Sequence, residues 1–518
     1  MKFIFRSDAS LQIGTGHVVR CLTLAQALSG RGMACQFVCR EHPGNLLQVI
    51  RKQGFEVVTL PMHTEEAHRA ADTTKAPLAH AAWLGADWRT DAEQTKTGMG
   101  NAAVDWLVVD HYALDSRWES ALRPHCRKLM VIDDLADRPH DCDLLLDQNL
   151  TADMTRRYNG KTPDHCGHML GPEYALLQPQ YAELHSRVPP REGPVRRVLI
   201  YFGGADTDNL TGKAVAAFIR LGRTDITLDV VINPASPHAA SLRQQADGCA
   251  QVVLHNELPS LAPLMVQADL ALGAGGATSW ERCCLGLPAL VITLAENQKP
   301  IAAELDRRGL LRWLGHKHEV SETTFTQALQ DIFATGISPE WAERFRQQPV
   351  DGQGAERVVS TLMLNEQTRF KARLARLEDE SLILQWANDP LVRRNAFASE
   401  AIDPATHRTW FRKRLRDPEH CQLYVVETEE GLPVGQTRFE RSDGAWEIDY
   451  ALDARARGRG LGKPLLQTAM SALRTNTGQA LLLARVKDSN EASCKVFEAL
   501  GFESDRQEGG QVVYRRPL

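Results

Sequence analysis

Short apolar runs alternate with stretches of helical period through the front of this 518-residue chain, and that alternation constrains its fold more than any other feature. Lys2–Arg6, Ala34–Cys39 and Glu56–Leu60 read as strands. Between them, His17–Gly30 (through Val18, Leu22, Ala25 and Leu28) and Leu46–Gln53 have helical spacing. Trp106–Asp110 and Lys128–Asp133 are further apolar runs, and both end in aspartate. Strands separated by helices need crossover connections, so the pattern predicts a parallel sheet with helices on its faces. Ligands of such sheets gather at the carboxyl ends of the strands. Asp110 and Asp133-Asp134 therefore stand at the edge where chemistry takes place, with loop-start or helix-capping roles as the plainer alternative.

The alternation restarts beyond 186–194, a linker that carries Pro189, Pro190 and Pro194. Val198–Phe202, Leu228–Ile232, Ala250–Leu254, Leu270–Gly273 and Ala289–Ile292 read as strands. Leu210–Leu221, Leu258–Ala268 and a segment through Ser279–Cys284 read as helices, with two more near Pro339–Gln347 and Ala355–Leu364. Two α/β halves joined by a Pro-rich hinge predict a two-lobed protein with a cleft. From Arg369 the composition turns Arg- and Glu-rich and the pattern becomes α+β. Leu423–Glu427, Val434–Glu440 and Glu447–Leu452 are expected as consecutive antiparallel strands, turned by Gly431-Leu432-Pro433 and Ser442-Asp443-Gly444. The expected domains are 1–185, 195–365 and 369–518, in keeping with roughly 100–200 residues per domain.

Hydrophobic residues make up 43% and charged residues 24%, enough for each domain to bury a core. A net charge of −5 gives no sign of a nucleic-acid or membrane-surface partner. No apolar run reaches the roughly 20 residues that span a bilayer, and the early charges of the N-terminus do not suit a signal peptide. The 11 cysteines form no C-x-x-C pair, so free thiols in a reducing cytoplasm are expected.

Gly14-Thr15-Gly16-His17, with Arg20 and Cys21 after it, lies between the first strand and the first helix. Glycines let a ligand approach the backbone, and the helix start offers unpaired N–H groups to an anion. A histidine there takes a proton near neutral pH, and the helix dipole disfavours its charged form. Read alone, it is equally a cap or a surface residue. In the second half Gly203-Gly204-Ala205-Asp206 again joins a strand to a helix, a geometry suited to phosphate. Gly273-Ala274-Gly275-Gly276-Ala277-Thr278-Ser279-Trp280-Glu281 repeats it: the glycines hold diphosphate and Glu281 accepts from ribose hydroxyls. Glu296-Asn297-Gln298 follows the next strand. Each feature alone is also an ordinary turn, cap or loop amide; together they put polar or glycine residues at three strand ends of one lobe. No ligand cluster calls for a metal.

Taken in order, several segments resemble the UDP-sugar hydrolases of pseudaminic acid biosynthesis. They are Asp8-Ala9-Ser10 with Gln12–Cys21, Val109–Tyr112, Ile132–Leu135, Asp147-Gln148-Asn149, Phe202–Asp206, Gly275–Glu281 and Glu296–Gln298. The resemblance covers about 1–345 and implies two Rossmann-like lobes of the GT-B or MurG type, with the nucleotide on the second lobe. It implies hydrolysis of UDP-2,4-diacetamido-2,4,6-trideoxy-β-L-altropyranose at the anomeric carbon with inversion, with His17 as the base that activates water. Gly16, Tyr112, Gly204, Asp206, Gly276, Thr278, Glu281 and Asn297 are then the expected substrate contacts. A glycosyltransferase with another acceptor and a catalytically silent nucleotide-sugar sensor are the alternatives.

In the last domain Arg455-Ala456-Arg457-Gly458-Arg459-Gly460-Leu461-Gly462 follows a strand and opens a helix through Leu465, Leu466, Ala469 and Leu473. Successive N–H groups at such a start suit a diphosphate. The loop resembles the R-x-x-G-x-G element of GNAT acetyltransferases. Asn490, Ser493, Phe497 and Gly501-Phe502, after the strand Leu481–Val486, resemble that family's second segment. The resemblance implies acetyl-CoA as co-substrate, held by Leu452, Arg455, Arg457, Gly458, Gly460, Gly462, Asn490, Ser493 and Phe497. Phe497 departs from the pattern, since many relatives have a tyrosine there that protonates the departing thiolate. Glu447 and Asp449, on one strand face with Tyr450 on the other, are the candidate bases for the amine; both also suit a solvated or structural role. The fusion implies a UDP-linked amino sugar as acceptor, against a protein amine as the alternative.

Overall fold

A computed structural model of the chain describes all residues except 63–77, 155, 205, 235, 257, 443, 479, 508 and 509, and the side chains of 505–507. Ala205 and the turn residue Asp443 thus lie outside the described residues. The chain divides into two compact units, 1–162 with 169–358 and 163–168 with 359–518.

The first unit holds two sheets. The first contains β1 (Lys2–Ser7), β2 (Ala34–Arg40), β3 (Glu56–Leu60), β4 (Val104–Asp110), β5 (Cys126–Ile132), β6 (Leu144–Asp147) and β7 (Gly167–Leu170), in the order β3-β2-β1-β4-β5-β6-β7. It is parallel from β3 through β6. The second contains β8 (Arg197–Tyr201), β9 (Thr227–Val231), β10 (Val252–His255), β11 (Leu270–Ala274), β12 (Ala289–Thr293) and β13 (Arg312–His316), in the order β10-β9-β8-β11-β12-β13. It is parallel throughout. Both are the expected Rossmann-like α/β layers. Strands buried on both faces need apolar side chains in sequence, and Phe3, Ile4 and Phe5 or Leu290, Val291 and Ile292 supply them.

The strand order decides where a ligand fits. In each sheet the winding reverses beside the first strand, between β1 and β4 and between β8 and β11. Successive crossovers leave in opposite directions at that point, which opens a crevice past the strand ends. Ser7 pairs with Asp110 at the end of β1 and β4, and Gly273 pairs with Tyr201 at the end of β11 and β8. The glycine segments singled out in the sequence thus follow β1 in the first sheet and both flanking strands, β8 and β11, in the second. Gly273 is required by packing, because a Cβ there would sit 2.3 Å from the Tyr201 carbonyl oxygen.

The boundary expected between the first two domains shifts. The linker 186–194 is no free hinge from Arg191 onward. The buried Arg191 guanidinium donates to the Ala268 and Met265 carbonyls at 2.6 Å and to that of Leu285, and Gly193 exchanges backbone hydrogen bonds with Ile337. Ala175, Leu177 and Tyr181 also pack in one core with Leu199, Trp280 and Val291. The segment before the linker, including the helix Pro179–His185, therefore belongs with the second sheet by burial. β6, β7, β13 and the helices Trp88–Met99 and Glu322–Thr335 complete the layers beyond what the sequence pattern marked.

The second unit is built on β14 (Phe370–Leu374), β15 (Cys421–Thr428), β16 (Pro433–Ser442), β17 (Ala445–Leu452), β18 (Leu481–Lys487), β19 (Glu503–Gln507) and β20 (Gln511–Pro517), ordered β14-β15-β16-β17-β18-β20-β19. The expected antiparallel strands are β15, β16 and β17. β17 pairs with β16 from Ala445 to Leu452, but with β18, in parallel, only from Ala445 to Ile448. Past Ile448 the two strands part, and Asp449–Leu452 face an opening.

Candidate active sites

His17 lies in the first turn of the helix Gly16–Gly30, directly after β1 and its glycine loop, and is nearly buried. Its Nδ1 is 2.6 Å from Oδ1 of Asp110, the last residue of β4. An ionised carboxylate only accepts, so Nδ1 carries the proton and Nε2 keeps a lone pair. Asp110 is fully buried and gripped in a fork by Arg20, whose Nε and Nη2 donate to Oδ2 and Oδ1 at 2.6 Å each. Burial works against its ionisation, but the Arg20 charge and the hydrogen bonds from Arg20 and His17 hold it well below the usual carboxylate range. The Tyr112 ring meets the His17 ring edge-on at 4.5 Å, while its hydroxyl donates to Asp134.

Asp134 is a node. Its Oδ2 also accepts from Arg20 Nη1 at 3.2 Å and from Asn149 Nδ2 at 3.0 Å. Asn149 Oδ1 accepts from Trp280 Nε1 at 3.0 Å. Among the residues of the sequence motifs, Asp110, Arg20, Asp134, Asn149 and Trp280 had no role assigned as partners of His17. The i, i+3 spacing of His17 and Arg20 on one helix face was the available signal; the others meet only in space.

On the second lobe the helix Thr278–Cys284 opens after Gly275 and Gly276. A Cβ on Gly276 would meet only Gln298 Nε2, at 3.7 Å, so the backbone there is open to close approach. Thr278 forms the first turn and Glu281 follows on it. Burial pushes the Glu281 carboxyl up to about 7, against the neighbouring Tyr181 hydroxyl and the Arg282 charge, which favour its ionised form. Asn297 is exposed in a short turn, Glu296–Gln298, after β12. The reading of Gly203–Asp206 as an anion seat at a helix start requires correction. Asp206 accepts from the Leu210 and Thr211 N–H groups at 2.9 and 3.0 Å, and Asn209 from Gly212 N–H at 3.3 Å. The helix start is already filled by the chain's own side chains. Gly204 stays in the loop, its carbonyl accepting from Asn233 Nδ2 at 3.0 Å.

In the second unit Gly458 and Gly460 have φ of +65° and +73°, which only glycine adopts without strain, and the helix Gly462–Thr477 follows. The three arginines of this loop are engaged within the unit. Arg455 forks onto Asp453 at 2.7 Å, Arg457 donates to the Leu452 carbonyl and pairs with Asp389, both at 2.9 Å, and Arg459 donates to the Thr361 carbonyl at 2.6 Å. They shape the loop, and the N–H groups at the helix start are what it presents to an anion.

Asn490 caps the helix Glu491–Ala499 by accepting from Ser493 N–H. Ser493 Oγ is 3.0 Å from the Tyr450 hydroxyl, which lies beyond the point where β17 and β18 part. Phe497 is buried, its ring 5.9 Å from that of Tyr450 and stacked on Tyr514. On the other face of β17, Asp449 borders a cavity of about 280 Å³ with Ile383, His407, Trp410, Gln436 and Arg438. Glu447 does not line it and instead faces Arg485 at 3.9 Å. His407 and Trp410 come from the helix Pro404–Leu415, which no local pattern marked, and Arg438 from the expected strand β16. Among the described residues no group of His, Cys, Asp and Glu is arranged to hold a metal ion, and no helix is long and apolar enough to cross a membrane.

Residues 369–503 match the model of the GNAT acetyltransferase domain. An uncharacterized protein of Methanocaldococcus jannaschii is 20% identical over 98% of this chain and 98% of its own. The UDP-2,4-diacetamido-2,4,6-trideoxy-β-L-altropyranose hydrolase of Campylobacter jejuni is 24% identical over 60% of this chain and 97% of its own. The solved structure of Acinetobacter baumannii MurG, 14% identical, covers 70% of this chain and 98% of its own with a TM-score of 0.48.

Proposed function

We propose that this chain joins a UDP-releasing nucleotide-sugar hydrolase to an acetyl-CoA-dependent N-acetyltransferase, and that both act in making a diacetamido sugar of the pseudaminic acid type. The observation that carries the front half is the His17–Asp110 pair at the switch point of the first sheet. Nε2 of His17 takes a proton from water as the water oxygen bonds to the anomeric carbon. The bond from that carbon to the diphosphate breaks, UDP departs with the electron pair, and the configuration inverts. The buried Asp110 carboxylate steadies the imidazolium that forms. UDP leaves without being protonated, so one base suffices, and N–H groups around Gly276 and Thr278 receive the diphosphate charge. Glu281 accepts from the ribose, and Tyr112 and Asn297 from or toward the sugar. The carbohydrate hydrolase of Campylobacter jejuni supports this substrate class.

In the back half the helix start after Gly460 receives the coenzyme A diphosphate, and the opening between β17 and β18 receives the pantetheine arm. The N–H near Leu452 polarises the acetyl carbonyl. Asp449, which borders the cavity where Glu447 does not, takes the proton from the acceptor amine through water. The proton that the departing thiolate needs comes from Tyr450, recharged through Ser493, because Phe497 has none to give. The acceptor is the 4-amino group of a UDP-linked amino sugar. With its 11 cysteines all free thiols, the protein suits a reducing cytoplasm.

Incubating the protein with the UDP-4-amino-4,6-dideoxy sugar and acetyl-CoA, followed by NMR, reads both steps and the anomeric outcome. His17→Ala and His17→Asn should each abolish UDP release while leaving UDP affinity nearly intact. Full turnover in either folded variant would sink the hydrolase assignment.

A further inference from the structure

A continuous line of hydrogen bonds, buried at both ends, runs from the second lobe to His17. Trp280 Nε1–H donates to Asn149 Oδ1 at 3.0 Å, and Asn149 Nδ2–H donates to Asp134 Oδ2 at 3.0 Å. Arg20 bridges Asp134 at 3.2 Å to Asp110 at 2.6 Å, and Asp110 holds His17 Nδ1 at 2.6 Å. Trp280 is 1% exposed, Asn149 7% and Asp110 0%, so the two ends of the line are shielded from water, while Asp134 at its middle is partly exposed. The direction of the Asn149 amide is not arbitrary. An indole N–H only donates and a carboxylate only accepts, so Oδ1 must face Trp280 and Nδ2 must face Asp134. Its main-chain N–H is pinned to Asp147 Oδ1 at 3.0 Å, which leaves the side chain little freedom. Asp134 also carries the Tyr112 hydroxyl, whose ring packs on His17. One node thus steers both the partner and the neighbour of the base.

Trp280 sits on the helix Thr278–Cys284, between Thr278 and Glu281. We infer that Asn149 and Trp280 are positioning residues that couple occupation of this helix by a nucleotide to the orientation of His17. The inference rests on the hydrolase reading. A ligand drawing on the N–H of Thr278 or the carboxylate of Glu281 fixes the helix, the helix fixes the indole, and the bonds carry that register to Nδ1 of His17. Hydrogen bonds are lost over shifts of a few tenths of an ångström to one ångström, so a small displacement of the helix is felt at the base.

Two variants test the coupling. Trp280→Phe keeps the ring packing and deletes only the donor. UDP release should fall about 10- to 100-fold in kcat, with UDP affinity by calorimetry within about twofold of wild type. Asn149→Asp keeps the acceptor for Trp280 but turns a carboxylate toward Asp134. That position is faced by Asp134 with its Arg20 and Tyr112, by Asp147 at the end of β6, by Arg157 beside Asp147, and by Trp280. Two carboxylates about 3 Å apart share a proton, so the variant should work at low pH and gain a descending limb as that proton leaves. A folded Trp280→Phe with wild-type kcat, or an Asn149→Asp following the wild-type pH profile, overturns the inference. Should wild type itself release no UDP from the sugar nucleotide, the hydrolase reading fails. The coupling is then read from the ¹⁵N and ¹H resonances of the His17 ring. UDP shifting them in wild type but not in Trp280→Phe supports it, and equal shifts in both refute it.

Discussion

A carboxyl group raised by burial is the sharpest single-residue feature of the second lobe. Burial pushes Glu281 up to about 7, so near neutral pH it exchanges between a charged acceptor and a neutral acid. Charged, it accepts strongly from ribose hydroxyls; protonated, it accepts weakly. UDP affinity measured by calorimetry should therefore rise with pH through about 7, and Glu281→Gln should flatten the rise. A pH-independent affinity in wild type would remove Glu281 from the nucleotide contacts. In the second unit, burial raises the Tyr450 hydroxyl above its ordinary range, which keeps it protonated. Tyr450→Phe should lower acetyl transfer by about 100-fold, the usual weight of a general acid, with acetyl-CoA binding kept. Unchanged acetyl transfer would return that role to water.

At the scale of elements, placement depends on where strands begin, end and part. β1 and β8 sit inside their sheets because strands pair on both sides of them, and the reversal beside each opens the crevice. Gly273 lets β11 lie this close to β8. Gly273→Ala would push a methyl group against the Tyr201 backbone, and overpacking of this kind costs about 1–3 kcal/mol. The variant should melt lower and lose UDP affinity while acetyl transfer stays at wild-type level. Wild-type melting would mean that the sheet yields at this point. In the second unit, the parting of β17 from β18 after Ile448 brings Tyr450, Ser493 and Phe497 around one opening. Antiparallel pairing with β16 continues to Leu452, so the opening is a one-sided loss of partner, not the end of a strand.

At the scale of the whole chain, each unit has its own hydrophobic core. The proposed steps run in a set order: acetylation makes the diacetamido sugar that the front half then hydrolyses. His17→Asn, given the UDP-amino sugar and acetyl-CoA, should accumulate the acetylated UDP-sugar with acetyl transfer at wild-type rate. Loss of both activities in this one variant would show that the halves do not work independently. The relative from Methanocaldococcus jannaschii matches along 98% of both chains, so the two parts run together there as well.

Much of the architecture was legible in the order of residues. Period decides helix against strand, and glycine at φ near +70° or a run such as Leu290–Ile292 leaves few choices to the chain. The α/β halves, the mixed-sheet domain, the helix start after Gly460 and His17 at the start of its helix followed from such local rules. Weak local patterns hid β6, β7, β13 and the last pair of strands, whose stability comes from neighbours in the sheet. The Pro-rich linker misled for the same reason, since Arg191 is anchored by carbonyls 74 to 94 positions away. The seat expected at Gly203–Asp206 turned on a side chain, not on the backbone, because Asp206 fills the helix start itself. At His17 the sequence by itself determined a base-capable ring at a helix N-terminus. Only the tertiary structure decided which nitrogen is free, because Asp110, Arg20, Asp134, Asn149 and Trp280 come from five separate segments. Hydrogen-bond direction among buried groups is settled by their contact in space, which no spacing along the chain encodes.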